Sequence, residues 1–204
     1  MPKTINAHWP APDWIEAYST TVEPSRDELR LIQTHSAEVV EYSHTPAEAD
    51  GIWTNESNQA CIIRTADCLP VLFTDGTHIA AVHAGWRGLS QGILLETLKK
   101  VPFEGEIMAW IGPAISKHAF EVGQDVFKAF ETLGDARKAY FEPKNDTKYY
   151  ADLAGLAEYQ LTQQGLAVYQ SGECTYFDEQ WPSYRQNQTE QRLYTFIQKL
   201  RETN

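Results

Sequence analysis

Cysteine is scarce in this chain, three in 204 residues, and Cys61, Cys68 and Cys174 are too few and odd in number for a disulfide framework. That scarcity fits free thiols in a reducing compartment, with at least one available for chemistry. Basic residues are also in short supply: 17 Lys and Arg stand against 28 Asp and Glu, a net charge of −11. No run of Lys and Arg interrupts that negative field, which excludes nucleic acid as the expected partner. No stretch reaches the roughly 18 apolar residues of a membrane span. The opening segment "MPKTINAHWPAPDWIEAY" lacks the apolar run of a signal peptide, so a cytoplasmic protein is expected. Repeats, low-complexity tracts and long Pro/Gly/Ser linkers are absent too, which predicts one domain over 1–204. Small-molecule partners, with the chain a monomer or a homodimer, are the expectation that remains.

What the chain does have is core-forming material. Hydrophobic residues make up 42% and charged ones 22%, and there are six Trp, ten Tyr and eight Phe. Short runs rich in β-branched and aromatic residues predict strands at 59–65, 70–74, 78–84 and 106–112, with two more at 166–170 and 192–200, the last of which also fits a terminal helix. Apolar spacing of 3.6 predicts helices over 90–101, 119–133 and 152–165. The class is therefore α/β or α+β, a mixed β-sheet flanked by helices. Polar-interrupted "LIQTHSAEVVEY" (31–42) reads as a further strand with His35 at its centre.

The stretch "TADCLPVLFTDGTHIAAVHAGWRGL" (65–89) carries the strongest local signal. Asp75-Gly76 between two strand-like runs predicts a two-residue hairpin loop. Thr74 then faces Thr77, and the same register sets Cys68 opposite His83 on one face, with Cβ atoms about 5 Å apart. Pro70, which donates nothing to a ladder, predicts looser pairing just past Cys68. A thiol beside an imidazole is a packed core pair, an activated nucleophile or a pair of metal ligands. His35 is the nearest third group upstream, and Cys with two His would leave an open coordination position.

Other polar residues surround the pair. In "HAGWRGLSQG" the chain passes from strand to helix, and Arg87 with the backbone at Gly88 has the form of an anion cradle. Asp67 adjoins Cys68, as a turn cap or a proton carrier, and Arg64 precedes it. "CTYFDEQWPSYR" (174–185) concentrates aromatics, Tyr184 among them, with Arg185 and Cys174. His8, His44, His78 and His118 are assigned surface or loop roles.

"EADGIWTN" (48–55), "TADCLPVLF" (65–73), "AAVHAGWRGL" (80–89), "WIGPAISKHAFEVGQDV" (110–126) and "SYR" (183–185) together resemble the laccase-domain family. Its YfiH-type, multicopper polyphenol oxidase-like members are described as purine nucleoside phosphorylases. The resemblance covers roughly residues 30 to 200. It implies a zinc, assigned as copper in some members, held by His35, Cys68 and His83. The fold it implies is a sandwich-like α/β domain akin to the cysteine hydrolases that include cytotoxic necrotizing toxins. It further implies phosphorolysis of adenosine, inosine and methylthioadenosine, with adenosine deamination. Cys68, His83 and Asp67 would be catalytic, and Arg64, Arg87, Gly88, Tyr184 and Arg185 would bind substrate or phosphate. A cysteine hydrolase acting on a small conjugate and a non-catalytic metal-binding member are the alternatives. The sequence departs from the family pattern at 18–36, where a Gly-Gly-x-Ser turn, an Asn-Leu-Gly segment and an Asn-Arg pair have no counterpart. The Arg-Arg that follows Ser-Tyr in the family is Arg185-Gln186 here.

Overall fold

The computed structural model describes residues 2–201. Its strands are β1 (Thr4–Asn6), β2 (Ile15–Thr20), β3 (Leu31–Ile32), β4 (Val39–Glu41), β5 (Ala47–Glu48), β6 (Gly51–Thr54), β7 (Ala60–Thr65), β8 (Leu69–Thr74), β9 (Ile79–Ala84), β10 (Met108–Ile111), β11 (Glu121–Gly123), β12 (Phe141–Pro143), β13 (Lys148–Ala151), β14 (Ala167–Gln170) and β15 (Leu193–Lys199). The helices are α1 (Trp86–Ser90), α2 (Ile93–Lys100), α3 (Gln124–Ala129), α4 (Leu153–Thr162) and α5 (Tyr184–Asn187).

A six-stranded sheet, ordered β14-β10-β8-β9-β6-β4, forms the centre, and a four-stranded sheet, β1-β2-β15-β7, lies over one of its faces. The alternation of side chains assigns each layer. Leu72, Ile79, Ala81, Trp110 and Ile52 meet Ile63, Cys61, Ile197 and Ile15 between the two sheets. Val71, Phe73, Ala80, Val82 and Ala109 point the other way, against Leu89, Ile93, Leu94, Leu156 and Leu161 of the helices. With both faces covered, β8 and β9 are buried at every residue, so they read as continuous apolar runs rather than alternating ones. Pairing is mixed, with β10 antiparallel to β8 and parallel to β14. The fold is mixed α/β, as the sequence predicts, and 192–200 is the strand β15.

Four elements differ from expectation. The β8–β9 hairpin pairs Thr74 with Ile79 and Pro70 with His83, so the loop has four residues, not two. Asp75 causes this: its Oδ1 accepts the backbone N–H of Thr77 (2.8 Å) and of His78 (2.6 Å), and that turn pulls both residues out of the ladder. His78 is consequently buried, 4% exposed, with Nδ1 3.3 Å from Asp75 Oδ2. His8, His44 and His118 are exposed. The helix predicted over 119–133 begins instead as β11, paired with β13, and becomes helical only at Gln124. Residues 31–42 are two short strands, not one, with His35 in a turn between them at φ 62°. Lastly, the predicted helix at 90–101 is two, α1 and α2, broken at Gly92 with φ 86°.

Candidate metal centre and pocket

Where β7 leaves one sheet and β8 enters the other, residues 66–68 make the connecting turn. There Cys68 is half-buried and lies diagonal to the buried His83, whose ladder partner is Pro70. The register shift of the hairpin leaves the two on one face, because moving a strand by two residues preserves facing.

His35 arrives from elsewhere, and Asp50 brings it. The Asp50 side chain is fully buried. Its oxygens accept the backbone N–H groups of Thr34 (3.1 Å), His35 (3.0 Å) and Ser36 (2.6 Å), together with Ser36 Oγ (2.7 Å). These bonds hold the left-handed backbone at His35, a conformation uncommon for a non-glycine residue. Asp50 Oδ1 also accepts from His83 Nδ1 at 2.7 Å, so His83 Nε2 is left to face the sulfur. Burial raises the carboxyl, but the bonds from His83 and Ser36 outweigh it and hold Asp50 well below the usual carboxylate range.

His35, Cys68 and His83 bring their ligand atoms within 4.8 Å of one another. The imidazole rings of His35 and His83 are edge to face, with centroids 4.8 Å apart. Burial pushes the Cys68 thiol up, yet hydrogen bonds and charge from His35 and His83 bring it down to about 6. Burial pushes His83 down, and Asp50 and Cys68 raise it to about 9.

Gly85 supplies the space. A Cβ there would stand 3.1 Å from Cys68 Sγ, 3.3 Å from His35 Cδ2 and 3.7 Å from His83 Nε2. Its φ of −65° suits any residue, so glycine is needed for room and not for conformation. One thiolate and two imidazoles around such a gap fit a borderline metal with an open position. An outer carboxylate orienting one histidine is the usual companion of such a site.

Above His35, Cys68 and His83 opens a cavity of about 490 Å³. Arg64, Arg185 and Arg192 stand around it, and Ile115, Phe120 and Tyr184 give it apolar surface. None of the three arginines is in an ion pair among the described residues. Gln33 fixes the Arg64 backbone as a strand partner would, donating Nε2 to its carbonyl and accepting its N–H, both at 2.8 Å.

Two predicted anion-binding residues lie outside this cavity. Arg87 is exposed, with its guanidinium stacked 4.4 Å over the Trp86 ring. Gly88 is buried, and a Cβ there would come 2.7 Å from the Ser36 carbonyl, so it lets the His35 turn lie against α1. Asp67 is a buried carboxylate at φ 87°, bonded to Thr175 and Arg185, not an exposed cap. Sequence reasoning leaves out Asp50 and Gln33, reads Gly85 as part of an anion cradle where it makes room for the three side chains, and marks Arg192 only as a departure from the family pattern. Asp50 lies within the quoted "EADG" segment and Gly85 within "HAGW", but nothing local marks their partners.

Residues 16–199 match the family model described as multi-copper polyphenol oxidoreductase laccase. The chain belongs to that family. A Haemophilus influenzae relative named purine nucleoside phosphorylase is 42% identical over 176 residues, covering 82% of this chain and 72% of its own length. An Escherichia coli relative, purine nucleoside phosphorylase YfiH, is 41% identical with the same shares covered. Among solved structures, a Neisseria meningitidis protein superposes with a TM-score of 0.85 at 34% identity, covering 97% of this chain and 99% of that one. No helix among the described residues is long and apolar enough to cross a membrane.

Proposed function

We propose that this chain is a metal-dependent purine nucleoside phosphorylase, with zinc in the His35/Cys68/His83 site. The carrying observation is the juxtaposition of that ligand group with three arginines that make no ion pair among the described residues, around one cavity in a chain of net charge −11. The names of the relatives point the same way. Several copper centres, which multicopper oxidation requires, would need more ligands than the one three-residue group found among the described residues.

Arg64, Arg185 and Arg192 bind inorganic phosphate by charge-assisted hydrogen bonds, while Ile115, Phe120 and Tyr184 give a purine an apolar face. Holding both reactants in one cavity converts a bimolecular encounter into an oriented one. A phosphate oxygen then forms a bond to C1′ of the ribose as the C1′–N9 bond breaks. The electron pair leaves with the purine, which takes up a proton. Adenosine, inosine and methylthioadenosine are the substrates we assign, with deamination of adenosine as a second reaction. The metal, when bound, supplies Lewis-acid polarisation of the group it touches. Asp50 keeps His83 in the tautomer whose Nε2 faces the site.

Phosphate-dependent release of free base from adenosine and inosine, measured beside elemental analysis on one preparation, tests the reading. About one zinc per chain is expected, and Cys68→Ala and His83→Ala should each lose most of it. Turnover without phosphate dependence, or full metal occupancy in both variants, would overturn it.

One feature favours a second reading. The line Asp50–His83–Cys68 has the order of a cysteine-hydrolase triad, in keeping with the hydrolase likeness of the resemblance. In metal-free protein Cys68 should then alkylate with a rate inflection near pH 6 instead of near 9. Only a trapped acyl group on Cys68 would establish hydrolysis, because His35 has no part in a triad.

A further inference from the structure

Asp67 sits where four separate segments meet. Thr175 Oγ1 donates to its Oδ1 at 2.7 Å, and the backbone N–H of Arg185 donates to its Oδ2 at 2.6 Å. Its carbonyl accepts the N–H of Ile115 at 3.0 Å. The next residue is the ligand Cys68. Asp67 is 8% exposed and Thr175 is fully buried, so these bonds are sheltered from competing water. The backbone at Asp67 is left-handed, φ 87°, a cost to a non-glycine residue that such surrounding bonds offset.

Arg185 is thereby held at both ends. Asp67 fixes its backbone, and its Nη1 donates to the Glu121 carbonyl at 2.9 Å while the guanidinium lies 5.1 Å from the Phe120 ring centre. Ser183 Oγ, accepting the Gln186 N–H at 3.2 Å, fixes the turn of chain before it.

We infer that Asp67, although it lines the cavity, is a positioning residue and not a proton carrier: it sets the distance between the Cys68 turn and the Arg185 segment, and acts on substrate through Arg185. Each of its oxygens already accepts a hydrogen bond, from a side chain on one and from backbone on the other. This inference rests on the proposed phosphate role of the cavity. Loosening the joint would misplace Arg185 by a fraction of an ångström or more, and misplacements of that order cost about tenfold or more in oriented reactions.

The test uses the metal-loaded full chain as Asp67→Asn, Thr175→Val and Thr175→Ser, assayed with adenosine at varied inorganic phosphate across pH. In Asp67→Asn and Thr175→Val, KM for phosphate should rise about tenfold, kcat should fall less, and both limbs of the pH profile and the metal content should persist. Thr175→Ser, which restores the hydroxyl, should return KM towards wild type. The inference is overturned if Asp67→Asn loses a limb of the pH profile at unchanged phosphate KM while Thr175→Val behaves as wild type. If Asp67→Asn does not fold, Thr175→Val decides the matter. Should wild type show no phosphate dependence, the phosphorylase reading fails, and the joint is judged by trypsin. Cleavage after Arg185 about tenfold faster in both variants would uphold it, and equal rates would overturn it.

Discussion

Asp50 organises the candidate site without being one of the three residues that could hold a metal. One buried carboxylate gathers the turn that bears His35 and orients His83 at the same time. Asp50→Asn puts an amide N–H₂ where an acceptor is needed and leaves His83 without its counter-charge. Loss of one member of such a buried set costs on the order of 3 kcal/mol. The expected result in urea denaturation is a loss of that size near neutral pH, with metal affinity reduced at least tenfold. The pH dependence follows from the direction of the shift. Asp50 is held below its unfolded value, so its contribution is fully present above about pH 4 and declines as pH falls towards the lowered folded value. The gap between wild type and Asp50→Asn should therefore narrow in acid. A gap that is constant from pH 7 to pH 3 would show that the negative charge is not what matters.

At the scale of elements, the sequence shows which segments pair more reliably than where their loops end. Asp75-Gly76 marks the hairpin, and Cys68 and His83 share a face as expected. The register is set by the Asp75 carboxylate reaching Thr77, His78 and the N–H of Glu104, the last a contact 29 residues away. The His35 turn is illegible locally because the group that makes it, Asp50, lies beyond two further strands. The strand-to-helix turn at Gly85 is legible as a turn but not as a cradle for ligands. Its glycines suggest an anion site, whereas Gly85 makes room for the ligand group and Gly88 for the His35 turn. Hence Arg87→Ala should leave the phosphate KM of nucleoside cleavage within about twofold and cost no more than about 1 kcal/mol of stability through the lost Trp86 stacking. Arg64→Ala or Arg192→Ala should raise that KM about tenfold or more, as for a lost charge-assisted contact. Steady-state titration of phosphate checks both, and the reverse ranking would return the anion site to the start of α1.

For the whole molecule, the question is how closed the pocket is. Both sheets end beside it, and its rim is drawn from chain segments far apart in sequence: the His35 turn, the 66–68 turn, Phe120, α5 and the start of β15. The chain covers 72% of the length of the Haemophilus influenzae relative but 99% of the Neisseria meningitidis chain. The family resemblance implies a shorter connection between Thr21 and Glu38, a stretch that includes His35. In this structure that connection is a single turn of 3-10 helix (Arg26–Glu28) and the short β3, with Val22 and Ile32 left exposed at 51% and 53%. A rim with less chain over it admits water and holds ribose and phosphate less firmly, and alignment of that kind is worth several kcal/mol of barrier, at about 1.4 kcal/mol per tenfold in rate. Measured side by side with adenosine and phosphate, this chain should therefore show a kcat/KM at least tenfold below that of the Haemophilus influenzae relative, chiefly through KM. The Neisseria meningitidis protein should match this chain. Metal affinity should be equal in all three, because Asp50, Gly85, Cys68 and His83 lie outside that stretch and His35 stands near its downstream edge. Equal kcat/KM in all three would mean that the connection has no part in closing the pocket. A weaker metal in this chain alone would mean that the connection supports His35 and not the substrate.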